Sequence, residues 1–292
     1  MSNWVIGVIG GSGLYEIEGL QDAESVRIET PWGAPSDALI KGRVGNVGFV
    51  FLPRHGKGHR LSPTAIPYRA NIDALKRLGC TDVLSFSACG SLQEAYAPGE
   101  FVMVDQFIDR TFAREKSFFG PGMVAHVSMA DPICARLSGL AGDAAEAAGA
   151  NVHRGGTYLA MEGPQFSSRG ESHLYRQWRC DVIGMTNMPE AKLAREAELP
   201  YATMAMVTDY DCWHADEADV EVTNVLEIMA ANTARAKATI GQLAKALQGV
   251  ARTPSPQRIE TCLDYAMITA PEARDPAILA KLDAVAGRVL GG

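Results

Sequence analysis

No CxxC pair occurs among the six cysteines, Cys80, Cys89, Cys134, Cys180, Cys212 and Cys262. Their gaps are long and irregular, which excludes zinc-ribbon and thioredoxin-like readings. Six thiols spread over 292 residues are also too sparse for a disulfide scaffold, so the expectation is reduced cysteines in a cytoplasmic setting. Basic excess is missing too. Lys and Arg total 27 against 34 Asp and Glu, a formal net charge of -7. A nucleic-acid polymer needs a basic footprint and is excluded as a general partner. No stretch reaches the roughly 20 apolar residues of a membrane span. The opening Met-Ser-Asn-Trp-Val-Ile-Gly has no basic region, so neither a signal peptide nor a membrane association is expected.

Several common catalytic signatures fail on single residues. Gly11-Ser12-Gly13 runs into Leu14, Tyr15 and Glu16, which breaks a dinucleotide fingerprint. Gly56-Lys57 is followed by Gly58, so there is no P-loop. Leu14 stands where a serine-hydrolase elbow needs its second glycine. There is no HExxH. His55 and His59 have i,i+4 spacing, but glycines 56 and 58 argue against a helix there, and no metal site is expected.

What is present is a globular chain with 47% hydrophobic and 21% charged residues, enough for a sizeable core. Short apolar runs predict strands at Val5–Ile9, Val47–Leu52, Val83–Phe86, Phe101–Val104, Thr157–Met161, Asp181–Met185 and Tyr201–Val207. Helical spacing predicts helices over Tyr68–Leu78, Pro132–Ala148, Pro189–Glu198, and from Val222 to about Leu247. The alternation gives an α/β class, expected as a central mixed sheet flanked by helices. Arg252-Thr253-Pro254-Ser255-Pro256 reads as a linker. It divides a domain of residues 1–250 from an extension, 251–292, with one further helix at Pro276–Leu290 and no assigned role.

Several strands end in small or polar residues: Ser12, Arg54-His55, Ser87-Ala88 and Thr186. In open α/β sheets ligands bind beyond the carboxyl ends of strands. Hydroxyls, backbone N–H groups and one arginine converging there suit a phosphate, although a glycine-rich turn is also an ordinary strand end. Thr208-Asp209-Tyr210-Asp211 sets two carboxylates around an aromatic at the end of an apolar run. Such a pair is a solvated turn or, in a partly buried pocket, a pair whose acids titrate apart, one kept protonated as a donor. Trp213 beside it favours the packed setting.

Taken together these segments resemble the trimeric purine nucleoside phosphorylase family. The resemblance is carried by Val8-Ile9-Gly10-Gly11-Ser12-Gly13-Leu14, by 30–37 (Thr-Pro-Trp-Gly-Ala-Pro-Ser-Asp) and by Arg54-His55-Gly56. It continues through Ala88-Cys89-Gly90-Ser91-Leu92, 105–111, 162–169 and Met185-Thr186-Asn187-Met188-Pro189-Glu190. Within the family, Thr208-Asp209-Tyr210-Asp211-Cys212-Trp213 is similar to the branch acting on 5′-methylthioadenosine. The likeness runs from about residue 5 to 245 and does not reach the last part of the chain.

The resemblance implies a phosphate site of Ser12, Arg54, His55, Ser87, Ala88 and Thr186, with inorganic phosphate as co-substrate and no cofactor. It implies Asp209 and Asp211 as base-recognition residues and Tyr210 between them in the substrate site. Phe166 would pack on the purine and Met185 lie under the ribose, while Ser167 and Val222 tune specificity. Val225 and Leu226 would form an apolar wall for a 5′-methylthio group. His126 would be lent by a neighbouring subunit of a homotrimer. The reaction implied is phosphorolysis in purine and methionine salvage, with Asp209 and Asp211 as the catalytic pair. Phosphorolysis of 6-oxopurine nucleosides or methylthioinosine is the alternative, and the carboxylate pair speaks for a 6-amino base.

Overall fold

Of the 292 residues, the computed structural model describes 4–11, 13–214 and 222–291. The predicted Ser12 lies outside them, as do the side chains of Val222 and Val225. Chain order begins with β1 (Val5–Gly10), β2 (Gln21–Val26), β3 (Leu39–Val44) and β4 (Val47–Pro53). Next come α1 (Tyr68–Arg77), β5 (Asp82–Ser91), β6 (Phe101–Met103), β7 (Gln106–Asp109) and α2 (Ala135–Ala147). Then follow β8 (Val152–Arg154), β9 (Thr157–Ala160), α3 (Arg169–Gln177), β10 (Val182–Gly184) and α4 (Asn187–Glu196). The rest is β11 (Tyr201–Asp209), α5 (Val222–Ala246), α6 (Pro276–Leu279) and α7 (Asp283–Leu290).

The eleven strands form one mixed sheet in the order β2-β3-β4-β1-β5-β10-β9-β7, with β11 on β5 and β6, and β8 on β6. The fold is thus the single α/β domain expected, with helices packed on the sheet. Central strands are apolar on both faces because both are covered: every residue of β5 but Ala88 is buried, and of β11 only Asp209 is not. Phe49, Phe86, Tyr158 and Tyr201 are fully buried in it, each aromatic worth about 2 kcal/mol or more of burial.

The differences from expectation have local causes. β2, with the sequence QDAESV, pairs only with β3 and is exposed almost throughout; a charged edge strand has no apolar alternation to reveal it. β3, β7, β8 and α3 were likewise unexpected. α3 has the amphipathic spacing of Ser172 and Tyr175 and a capping box from Ser168 to Glu171, signals diluted by its polar composition. The helix expected from Pro132 begins at Ala135, because Cys134 is extended. The final helix is split into α6 and α7.

Residues past 250 fold back on the sheet. Arg252 ion-pairs with the fully buried Asp82 at 2.6 Å and with Glu260 at 2.7 Å. Arg77 reaches Asp283 at 2.9 Å. Among the described residues no helix is long and apolar enough to cross a membrane.

Candidate active site

The sheet carries a notch. β1 pairs with β5 up to Ile9 opposite Ser85, and β10 joins β5 only at Gly90 and Ser91. Gly90 also pairs with Asp209 of β11, so β10 and β11 lie on opposite edges of β5. Among the described residues, 86–89 therefore have no strand on the β1 side. β1 arrives parallel and β10 antiparallel, so their carboxyl ends face each other across this opening. Ligands settle where strand ends diverge in this way, and Arg54, Ser87, Ala88 and Thr186 of the predicted phosphate set lie at it.

Arg54 follows β4, and its N–H donates to the Gly10 carbonyl at 2.9 Å. Its buried guanidinium donates to Phe86 O at 2.9 Å, Ser85 Oγ at 2.5 Å and both oxygens of Glu190 at 2.8 and 3.0 Å. Burial alone would lower its pKa, but the Glu190 carboxylate outweighs it and holds the cation charged. Tyr201 donates its hydroxyl to Glu190 at 2.8 Å, and Asn187 donates to Tyr201 and Ser85. The bonds close a ring of five buried side chains beneath the notch. Four of the five guanidinium N–H groups are engaged there, leaving one on Nη1. The bidentate Nε–Nη2 face of the guanidinium is therefore engaged by Glu190.

Ser87 Oγ lies 3.3 Å from Thr186 Oγ1 and 3.1 Å from the Tyr158 hydroxyl, so strand ends from two parts of the chain bring their hydroxyls together. Ala88, beside them, has only its backbone to offer. His55 places Nδ1 2.8 Å from the Leu61 carbonyl. A carbonyl only accepts, so Nδ1 carries the proton. Burial lowers the His55 pKa to about 4, which leaves Nε2 an unprotonated acceptor at neutral pH.

The other end of the site is built at Gly90. A Cβ there would meet Asp209 Oδ1 at 2.8 Å and Asp211 Cβ at 3.3 Å, so the glycine makes room for both carboxylates. The β5–β11 register shifts between Val207 and Asp209, and the bulge turns Thr208 so that its hydroxyl donates to Cys89 O and to Asp209 Oδ2 at 2.6 Å. Asp211 has φ 51°, in the left-handed region, which costs a non-glycine residue about 1 kcal/mol. That turn returns its N–H to Asp209 Oδ1 at 2.8 Å. Burial raises the pKa of Asp209 against these bonds, and the nearby Asp211 adds to the rise. Burial raises Asp211 too, against the Ser172 and Ser167 hydroxyls. Asp211 Oδ2 is buried and makes no hydrogen bond among the described residues.

The loop of 162–168 faces this turn. Cys212 Sγ donates to Ser167 O at 3.2 Å, and Arg169 donates to Cys212 O at 3.0 Å. Phe166 on that loop is 47% exposed, more open than a core residue and free to meet a flat ligand. The Met185 sulfur lies against Gly163, at the root of the same loop. Tyr210 turns its ring away, stacking on His214 at 4.8 Å with its hydroxyl 3.5 Å from Glu94 O. Leu226, near the start of α5, is 58% exposed. His126 is exposed, and its backbone N–H bonds Ala266 O at 2.9 Å.

Glu190, Asn187, Tyr201, Ser85, Tyr158 and Thr208 were not singled out from sequence. Glu190 and Asn187 stand inside the Met185-to-Glu190 motif, but α4 also carries Lys192, Arg195 and Glu196, so charge alone does not single Glu190 out.

The phosphorylase superfamily profile matches residues 5–246. The S-methyl-5′-thioadenosine phosphorylase of Cereibacter sphaeroides is 61% identical, over 99% of this chain and 99% of that one. The protein of the same name from Bradyrhizobium diazoefficiens is 57% identical over the full length of both. The crystal structure of a methylthioadenosine phosphorylase from an antarctic soil metagenomic library superposes with a TM-score of 0.91 at 46% identity, over 97% of this chain and 99% of that one. A Schistosoma mansoni adenosine/methylthioadenosine phosphorylase variant in complex with methylthioadenosine gives 0.78 at 37% identity, over 88% and 95%. With a notch of hydroxyls and a buried arginine at one end, a carboxylate pair at the other, and these relatives, the chain belongs to the phosphorylase superfamily.

Proposed function

We propose that this chain catalyses the phosphorolysis of S-methyl-5′-thioadenosine to adenine and S-methyl-5-thioribose 1-phosphate. The observation that carries the reading is the half-buried Asp209 of β11, its pKa raised by burial, packed against Gly90, which shares strand β5 with Ser87. Gly90 is three positions beyond Ser87, roughly 10 Å along an extended strand, a span suited to a nucleoside with phosphate at one end and purine at the other.

In this reading phosphate is held by Ser12, the remaining Arg54 N–H, Ser87, Thr186 and the backbone at Ala88, with His55 Nε2 accepting its P–OH. One phosphate oxygen attacks C1′ as the C1′–N9 bond breaks and its electrons pass to the purine. Asp209 gives a proton or a strong hydrogen bond to N7, and Asp211 orients it. Fixed donors near the developing charges supply the rate. Phe166 covers the base and Met185 the ribose. Ser167 and Val222 tune preference, and Val225 and Leu226, with His126 of a neighbouring copy, enclose the 5′ group in a homotrimer. The enzyme would use phosphate as co-substrate without a cofactor, in the cytoplasm and in salvage of purine and methionine. Residues 1–250 form the phosphorylase domain in this reading and 251–292 its extension.

The names of the relatives support methylthioadenosine over 6-oxopurine nucleosides, as does a carboxylate able to accept from a 6-amino group. The test follows free base from methylthioadenosine, adenosine and methylthioinosine, each with and without phosphate. The expected result is phosphate-dependent adenine release, fastest from methylthioadenosine. Base release indifferent to phosphate would overturn phosphorolysis.

A further inference from the structure

Arg114 lies in a loop between β7 and α2, in none of the segments that pointed to a site. Its side chain is 1% exposed. Nη1 donates to the carbonyls of Met185 at 2.5 Å and Met188 at 2.7 Å, and to the Tyr68 hydroxyl at 3.1 Å. Nη2 donates to the Glu162 carbonyl at 2.6 Å, and Nε to Glu162 Oε1 at 3.2 Å. Each guanidinium nitrogen is committed to protein, so Arg114 is not placed as a ligand of substrate.

Its partners bracket the site. Met185 and Met188 flank Thr186, whose hydroxyl meets Ser87. The residue four beyond Met185 is Pro189, which has no N–H to complete a helical bond. Met188 itself is extended, with φ -119° and ψ 132°, so the chain enters α4 through a kink. Arg114 supplies the donor that Pro189 cannot give the Met185 carbonyl. On its other side Glu162 immediately precedes the loop bearing Phe166 and Ser167. The Glu162 carboxylate also accepts from Thr64 and from the N–H groups of Phe112 at 2.5 Å and Ala113 at 3.2 Å. One buried cation therefore ties the root of the purine-side loop to the turn that carries the phosphate-side hydroxyl.

We propose that Arg114 is a positioning residue that sets the Met185–Thr186 turn and the Gly163–Ser168 loop relative to each other, so that its loss weakens both substrate subsites at once. The inference rests on the proposed phosphorolysis for which subsite is which. Lysine keeps the charge opposite Glu162 but cannot fan to three carbonyls and a hydroxyl.

The experiment measures KM for methylthioadenosine and for phosphate, kcat and Tm in wild type, Arg114→Lys, Glu162→Gln and Arg252→Met. Arg252→Met breaks a buried ion pair elsewhere and controls for lost stability. Arg114→Lys is expected to raise both KM values about tenfold and to lower kcat/KM on the order of 100-fold, the scale of an ångström-level misplacement. Arg252→Met is expected to lower Tm and keep both KM values within about twofold of wild type. Glu162→Gln loosens only the loop side and is expected to raise the nucleoside KM with the phosphate KM unchanged; it carries the test where Arg114→Lys does not fold. Both KM values of a folded Arg114→Lys within about twofold of wild type overturn the proposal, as does a rise confined to one substrate or a Glu162→Gln effect on phosphate alone. If wild type releases no base, the phosphorolysis reading fails, and the positioning role is still read from the phosphate Kd of wild type and Arg114→Lys by calorimetry, where an unchanged Kd overturns it.

Discussion

Glu190 accepts from both arms of the Arg54 guanidinium, Nε at 2.8 Å and Nη2 at 3.0 Å, and each side chain is only 3% exposed. The carboxylate fixes the plane of the guanidinium and with it the direction of the one N–H left over. Breaking a buried pair from one side leaves an uncompensated charge and costs about 3–5 kcal/mol. Glu190→Gln is therefore expected to lower unfolding stability by about 3 kcal/mol and to raise the phosphate KM at least tenfold. Arg54→Ala is expected to raise the phosphate KM more steeply. Because the two residues act as one unit, the double variant should lose much less than the two single losses combined. A phosphate KM unchanged in Arg54→Ala would remove Arg54 from the anion site.

Asp209 gives the second prediction. Its carboxyl accepts from Thr208 and from the Asp211 N–H, and burial raises its pKa against these bonds. Asn in its place retains an acceptor and size but loses the acidic proton. Asp209→Asn is expected to lower kcat by about 100-fold or more, the ordinary worth of general acid catalysis. The phosphate KM should stay within about threefold, since the anion contacts at Ser87 lie roughly 10 Å along β5 from Gly90. A kcat within about threefold of wild type would refute the donor role.

These two residues also show what could be read before the structure. Arg54 and Asp209 stand at strand ends in a chain whose core strands are apolar enough to be recognised, but it was the family resemblance that implied one site for both. Glu190 was not singled out, because its role comes from a partner 136 positions away, and no spacing rule spans such a distance. The notch itself depends on β5 changing partners from β1 to β10, a topology that local periodicity does not encode. β2 and α3 escaped for the opposite reason: each is polar where a strand or helix is usually betrayed by apolar residues. The resemblance set Tyr210 with Asp209 and Asp211 in the substrate site, and its ring packs on Trp213 and His214, a placement that the motif does not encode.

Two buried groups predict compensating effects of pH on stability. The His55 pKa is lowered from 6.5 to about 4 by burial. Between those values the unfolded chain binds the proton and the folded one does not, so stability falls as pH drops through this window. Glu196 accepts from Ser117 at 2.7 Å and from the Phe118 N–H at 2.7 Å, yet burial raises its pKa from 4.5 to about 7. There the folded chain holds the proton and the unfolded one does not, so this contribution is complete below pH 4.5 and is lost as pH rises through 7. Each effect is worth about 3 kcal/mol at most, and they oppose each other where the windows overlap. Wild type should therefore change little between about pH 4.5 and 6.5 on account of this pair. His55→Gln should reveal stability falling with rising pH, and Glu196→Gln stability rising with it. Denaturant unfolding across that range checks both; parallel profiles in the two variants would contradict the assignment.

The last prediction concerns the extension. Asp82 is fully buried at the start of β5 and is held by Arg136 and Arg252, with Arg252 also joined to Glu260 and to the Thr81 carbonyl at 2.9 Å. Burial pushes the Asp82 pKa up and the arginines pull it down. Arg252→Met removes one of the two cations, so the carboxyl becomes harder to ionise in the folded state while its unfolded value is unchanged. A folded pKa raised further means stability lost as pH rises. The variant should accordingly be less stable than wild type by about 2–3 kcal/mol at pH 8, with the deficit shrinking toward pH 5. The Asp82 end of β5 is opposite to the end where Ser87 and Gly90 shape the notch, so kcat per folded molecule should stay within about twofold of wild type. Urea midpoints at the two pH values, with kcat measured on the same preparations, test both halves. A deficit that grows toward pH 5 would show that Arg252 does not act through the Asp82 carboxylate.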